Sequence, residues 1–153
     1  MLFMLAPIVL SALLDWYAVY KGWKKLEFIL KPLTMVLLFI FLFVNTDGLS
    51  GVTIWFGTGI ILSIAGDIFL MLPKEQFIAG LVAFLLAHLA YIIGFNQTLP
   101  PFNLAALIWA VLLGIIAAQL HKQILVGLIK QGKESLQKPI LAYMAVIAIM
   151  LLS

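Results

Sequence analysis

The chain has 153 residues, 65% of them hydrophobic and only 10% charged, with a net charge of +3. A soluble domain carries roughly 45–50% apolar and about 25% charged residues, so this apolar excess is too large for one core and belongs against lipid. The absence of cysteine excludes disulfides, thiolate metal sites and a cysteine nucleophile, the two histidines, His88 and His121, are too few for a zinc cluster, and nine basic residues that are all lysine argue against nucleic-acid recognition.

The first apolar run covers residues 2–20. No basic residue precedes it, and no small-x-small cleavage site follows before Asp15, so it does not have the form of a signal peptide. Asp15 stands beside Trp16 and Tyr17. Those aromatics suit a membrane interface, and Asp15 reads as a solvated residue among them. A lysine-bearing loop leads to a second span over residues 33–44, extended back to about Phe28, with Lys31 and Pro32 at its mouth. Proline is at home in a first helical turn. The turn Asn45-Thr46-Asp47-Gly48 precedes a third span over 52–72, and Pro73-Lys74-Glu75 separates that span from a fourth over Phe77–Phe95. The break at 96–101 carries two prolines, and the last spans cover 104–120 and 139–153. A bilayer needs about 20 residues of helix, and these runs are apolar all round, as lipid-embedded helices are. The period-2 alternation of a membrane barrel is missing. The expected fold is all-α: a polytopic transmembrane helical bundle with about six helices, residues 1–153 forming one integral membrane domain.

Lysine placement predicts the orientation. Lys21, Lys24, Lys25 and Lys31 lie around loop one, Lys74 in loop three, and Lys122, Lys130, Lys133 and Lys138 around loop five, while loops two and four have none. Positively charged loops stay cytoplasmic. The sequence therefore predicts a multi-pass protein with its N-terminus outside and its lysine-rich loops inside. Membrane lipids, through anionic headgroups, are natural partners for those lysines.

Ionisable groups inside a span are costly and mark candidate sites. Asp67 is the sharpest, roughly 7–8 Å inside the end of the third span at 1.5 Å per residue. Gly59, Ser63 and Asp67 recur every four residues and share one face, small and polar, suited to close contact with a neighbouring helix. A carboxylic acid in such surroundings can act as a proton donor; its structural alternative is an interhelical hydrogen bond or ion pair. His88 lies near the middle of the fourth span with Tyr91 on the same face, and the two can equally join helices. Lys31 either sets topology or counters Asp67. No Gly-rich phosphate loop, Gly-x-Ser-x-Gly elbow or His-Glu-x-x-His motif is present.

The segment SIAGDIFLMLP from Ser63, followed by FIAGLVAFLLAHLAYI from Phe77, resembles the YhhN family, the lysoplasmalogenases known in animals as transmembrane protein 86. Lys31-Pro32-Leu33-Thr34 and the Pro139 to Tyr143 segment add weaker matches, so the resemblance spans nearly the whole chain. It implies hydrolysis of the vinyl ether bond of a lysophospholipid substrate, releasing a fatty aldehyde and a glycerophospho-ethanolamine or -choline. Asp67 would be catalytic, with Lys31, Ser63, His88, Tyr91 and Tyr143 supporting, and no metal or organic cofactor is required. The family pattern also continues, over about eight helices, to a second aspartate in a Gly-Ala-x-x-Phe-x-x-Ser-Asp segment and a late Tyr-x-x-Ala-Gln segment. This chain has neither, which predicts a C-terminally truncated sequence. The alternatives from other classes are a small transporter with Asp67 and His88 as a proton or ion relay, and a non-catalytic lipid-binding membrane protein.

Overall fold

The computed structural model describes residues 2–46, 48–72, 76–97 and 104–153, and all regular structure there is helical. The helices are α1 (Leu2–Lys21), α2 (Lys24–Asn45), α3 (Thr53–Met71), α4 (Phe77–Phe95), α5 (Leu104–Lys130) and α6 (Gln137–Leu152), with a 3₁₀ turn at Glu134–Leu136 leading into α6. Among the described residues, five stretches are long and apolar enough to cross a bilayer: Lys24–Asn45, Thr53–Met71, Phe77–Phe95, Leu107–Lys130 and Glu134–Leu152. Large apolar side chains cover their surfaces, among them Ile29 at 61% and Ile108 at 53% exposure. A water-soluble protein rarely presents such continuous apolar patches. This is an all-α polytopic helical bundle.

Two boundaries differ from the sequence expectation. α2 begins at Lys24, so Pro32 sits past its second turn rather than in its first. There it deprives the Phe28 carbonyl of its ordinary i+4 donor. The early start has a local cause, because Glu27 and Lys31 form an i,i+4 ion pair at 2.6 Å. α5 runs on to Lys130, which puts Lys122 and Lys130 on the helix instead of in a loop. It stops where Gly132 takes φ +66°. Lys133 N donates to Leu128 O at 2.9 Å and Gly132 N to Ile129 O at 3.1 Å, the paired bonds of a Schellman cap. The same device ends α1: Gly22 has φ +69°, and Trp23 N reaches Ala18 O at 2.9 Å.

The helices group into two compact units, Met1–Gly94 and Phe95–Ser153. In the first, α1 packs on α2, α2 on α3, and α3 on α4. The α3–α4 seam is built from small residues. Gly57, Gly59, Ser63 and Gly66 are buried on α3, facing Gly80, Ala83, Ala87, Ala90 and Gly94, which are buried on α4. A Cβ on Gly59 would collide with the Tyr91 ring, and one on Gly66 would lie 2.7 Å from Phe84. Small side chains let helices without a hydrophobic driving force between them approach closely. In the second unit α5 packs against α6, and a shallow apolar pocket of about 280 Å³ between them is lined by residues including Ala117, His121, Met144 and Ala148.

Candidate functional site

The site is built from the α1–α2 seam outward. Ile8, Ser11, Asp15 and Ala18 recur at spacings of three and four and form the inward stripe of α1; Ser11, Asp15 and Ala18 are buried. Thr34 of α2 stands opposite, its Oγ1 2.9 Å from Ser11 Oγ and 2.8 Å from Leu30 O. Ser11 itself donates to Ile8 O at 2.9 Å. One turn along this antiparallel seam, Ser11 gives way to Asp15 and Thr34 to Lys31. Asp15 is therefore not the solvated interface residue expected from its aromatic neighbours. It is only 7% exposed, and its Oδ1 is buried without a hydrogen-bond partner among the described residues. The aromatics do point outward, Trp16 at 71% and Tyr17 at 49% exposure; the helix turns Asp15 the other way.

Lys31 is the hub. Its Nζ donates to Glu27 Oε1 at 2.6 Å, and Asp15 and Asp67 are its other charged neighbours. Helix register explains why Asp67 comes so near. A Cβ on Gly57 would lie 3.5 Å from the Phe39 ring, so these two residues are level on α2 and α3. Eight residues back from Phe39 lies Lys31; eight residues on from Gly57 lies Ala65, next to Gly66 and Asp67. Asp67 is half-buried, and its charged neighbours are Lys31 and Asp15. Lys31 thus pairs directly with Glu27, while Asp15 of α1 and Asp67 of α3 lie within its electrostatic reach. Glu27 was not singled out from sequence, although its four-residue spacing from Lys31 was the available signal.

The α3–α4 seam supplies the next residues. The close pairs Phe56–Gly94, Gly59–Tyr91, Gly66–Phe84 and Leu70–Gly80 set one antiparallel register, in which Asp67 is level with Ala83. Ser63, one turn from Asp67, is 4% exposed, and its Oγ lies 3.4 Å from Tyr91 Oη. The Tyr91 ring is stacked near Phe56, centroids 6.3 Å apart. His88 donates from Nδ1 to Phe84 O at 2.6 Å, which leaves Nε2 as the ring's acceptor when neutral. Its ring meets Tyr91 edge-on at 6.2 Å. In this register His88 sits about five residues, roughly 7–8 Å, further along the axis than Asp67. Ser63, His88 and Tyr91 thus form a second group beside the Asp15–Lys31–Asp67 cluster. Tyr143, carried over by resemblance, is half-buried on α6 in the second unit.

A carboxyl group inside apolar helices, level with an ammonium and one turn from buried hydroxyls, can hold and deliver a proton where bulk water is scarce. Residues 26–153 match the model of the YhhN family. The chain is 31% identical over 130 residues to proteins called "Uncharacterized membrane protein YhhN" from Escherichia coli O6:H1, Escherichia coli O157:H7 and Shigella flexneri. The match covers 80% of this chain and 61% of each relative, so the chain spans less than two thirds of their length. No solved structure matches. Its sequence, its helices and its relatives agree that this multi-pass membrane protein belongs to the YhhN family.

Proposed function

We propose that the protein is a lysoplasmalogenase-like membrane hydrolase, cleaving the vinyl ether bond of a lysophospholipid to a fatty aldehyde and a glycerophospho-ethanolamine or -choline. The observation that carries this reading is Asp67: a half-buried carboxyl group inside an apolar helix, with Lys31 among its charged neighbours. The family resemblance supports the substrate class. Vinyl ethers hydrolyse by protonation of the alkenyl carbon. Asp67 donates that proton, and the C=C pair forms the new C–H bond while the ether oxygen stabilises the resulting oxocarbenium ion. Water adds to the cation and loses a proton. The hemiacetal then collapses, its hydroxyl proton leaving as the glycerol oxygen is protonated and departs. General-acid catalysis of this kind contributes about 10²–10⁴-fold. Lys31 offsets the negative charge left on Asp67, and Ser63, His88 and Tyr91 line the neighbouring seam as substrate-positioning groups. Tyr143 belongs to the same proposed set through the resemblance alone. The substrate enters from the membrane lipids themselves, and the lysine-rich loops lie on the cytoplasmic side.

The ionisable groups Asp15, Lys31, Glu27 and Asp67 also suit a second reading, a proton or ion relay, because acids and bases within membrane helices are what such pathways use. Purified full-length protein in liposomes with lysoplasmenyl lipid separates the two. The hydrolase reading predicts equimolar aldehyde and glycerophospho-headgroup by mass spectrometry. Proton-coupled flux without lipid turnover would replace it with the relay.

A further inference from the structure

We propose that the cavity between the start of α2 and the end of α3 is the headgroup subsite of the hydrolase, with Lys24 holding the phosphate and Glu27 facing the ammonium of a zwitterionic lysophospholipid; this rests on the hydrolase reading above. The cavity measures about 480 Å³ and is lined by Lys24, Glu27, Phe28, Leu70, Met71 and Leu72. Small-molecule sites occupy roughly 300–1,000 Å³ and combine apolar walls with a few polar groups. This one carries a cation and an anion, whereas one cavity between α5 and α6 is lined by apolar side chains alone. Lys24 forms no ion pair among the described residues, so its ammonium is available to a phosphate. Glu27 Oε1 accepts from Lys31 at 2.6 Å, and a carboxylate has lone pairs left for a second donor.

Position along the helices ties the cavity to Asp67. The level pair Phe39–Gly57 sets the antiparallel register of α2 and α3. Fifteen residues back from Phe39 lies Lys24, and fifteen on from Gly57 lies Leu72, so the two ends of the cavity lining are level as well. Glu27 is one helical turn from Lys31, and Met71 is one turn from Asp67. Each pair shares a helix face, so both walls of the cavity lead to the Lys31–Asp67 level. From Leu72 to Asp67 the axial rise is about 7–8 Å. In a lysoplasmalogen about seven bonds separate phosphorus from the alkenyl carbon that is protonated, roughly 8–9 Å when extended at about 1.5 Å per bond. A phosphate held at Lys24 therefore brings the vinyl ether to the level of Asp67, with the alkenyl chain running on among the apolar helices. Remote binding of a non-reacting group is what positions the reacting carbon at the acid.

The test uses purified full-length protein and two substrates, lysoplasmenyl-ethanolamine and 1-O-alkenylglycerol, which keeps the vinyl ether and lacks the headgroup. Aldehyde release is measured for wild type, Lys24→Gln and Lys24→Arg. Hydrogen bonds to charged groups contribute enough to change affinity by about tenfold or more. Lys24→Gln should raise KM for the phospholipid by about that factor with kcat retained. Lys24→Arg should stay within a few-fold of wild type, and KM for alkenylglycerol should be alike in all three. Glycerophosphoethanolamine should inhibit the wild type competitively and lose potency in Lys24→Gln and Glu27→Gln. Glycerol 3-phosphate, which has no ammonium, should lose potency only in Lys24→Gln. Diacyl phosphatidylethanolamine carries the same headgroup and should not compete. An unchanged KM in Lys24→Gln, or an equal rise for both substrates, would overturn the inference and leave the hydrolase reading standing. Equal competition by the diacyl lipid would also overturn it, showing a site for bulk phospholipid. A wild-type protein that releases no aldehyde from either substrate would remove the hydrolase reading and the inference with it.

Discussion

Thr34 Oγ1 lies 2.9 Å from Ser11 Oγ, and this contact sets the level at which Asp15 of α1 meets Lys31 of α2. Ser11 is 5% exposed; its hydroxyl also donates to Ile8 O, and that of Thr34 reaches Leu30 O, so each keeps a backbone partner when the other is removed. Hydrogen bonds between membrane helices average about 0.6 kcal/mol in double-mutant cycles, with a maximum near 1.7. Ser11→Ala, Thr34→Val and the double variant should show a coupling energy of about 0.5–1.5 kcal/mol in reversible detergent unfolding. Strictly additive single effects would mean that the pair does not fix the seam.

Gly66 and Gly114 should respond oppositely to the same methyl group. A Cβ on Gly66 would stand 2.7 Å from the Phe84 ring, while one on Gly114 meets nothing within 4 Å. Overpacking a tight seam costs about 1–3 kcal/mol, and alanine in an open helical position is favoured over glycine by roughly 0.5–1 kcal/mol. Thermal unfolding in detergent should therefore be lowered by Gly66→Ala and unchanged or raised by Gly114→Ala. Equal effects would contradict the α3–α4 packing.

Much of this architecture is legible from residues alone. The third and fourth spans fall within a residue or two of α3 and α4 because both are uniformly apolar and bounded by turn chemistry. α2 and α5 extend further than expected because lysines at their ends resemble loop residues in isolation. Lys24, Lys25 and Glu27 belong to a first helical turn held by the Glu27–Lys31 pair, and α5 stops only at the Gly132 cap. Asp67 and Lys31 stand out as ionisable groups in apolar runs. Asp15 does not, because Trp16 and Tyr17 beside it suggest an interface, and its burial depends on which face α1 turns toward α2. That pairing is a property of two helices, and no pattern within one of them carries it.

Orientation can be checked by accessibility. With the lysine-rich loops inside, a Ser50→Cys variant should react with a membrane-impermeant thiol reagent in intact cells. Lys24→Cys and Lys133→Cys should react only after permeabilisation. These 153 residues contain no cysteine, so they add no background labelling. The reverse pattern would invert the topology.

His88 should matter less than Asp67. Its Nδ1 is committed to the Phe84 carbonyl at 2.6 Å, and its level in the bundle is more than a turn from Asp67. His88→Ala should mainly raise KM for lysoplasmenyl lipid, by several-fold, with kcat nearly retained. A kcat loss as large as that of Asp67→Asn would move His88 into the proton-transfer step.

Asp67→Asn keeps the shape of the side chain and removes its acid. The most direct measurement is the rate of aldehyde release from lysoplasmenyl lipid by full-length wild-type protein and by Asp67→Asn, each confirmed as folded by its detergent melting profile. The account predicts clear wild-type turnover and a loss of about 10²-fold or more in the variant. Equal turnover in the two, or none in a folded wild-type protein, would contradict it.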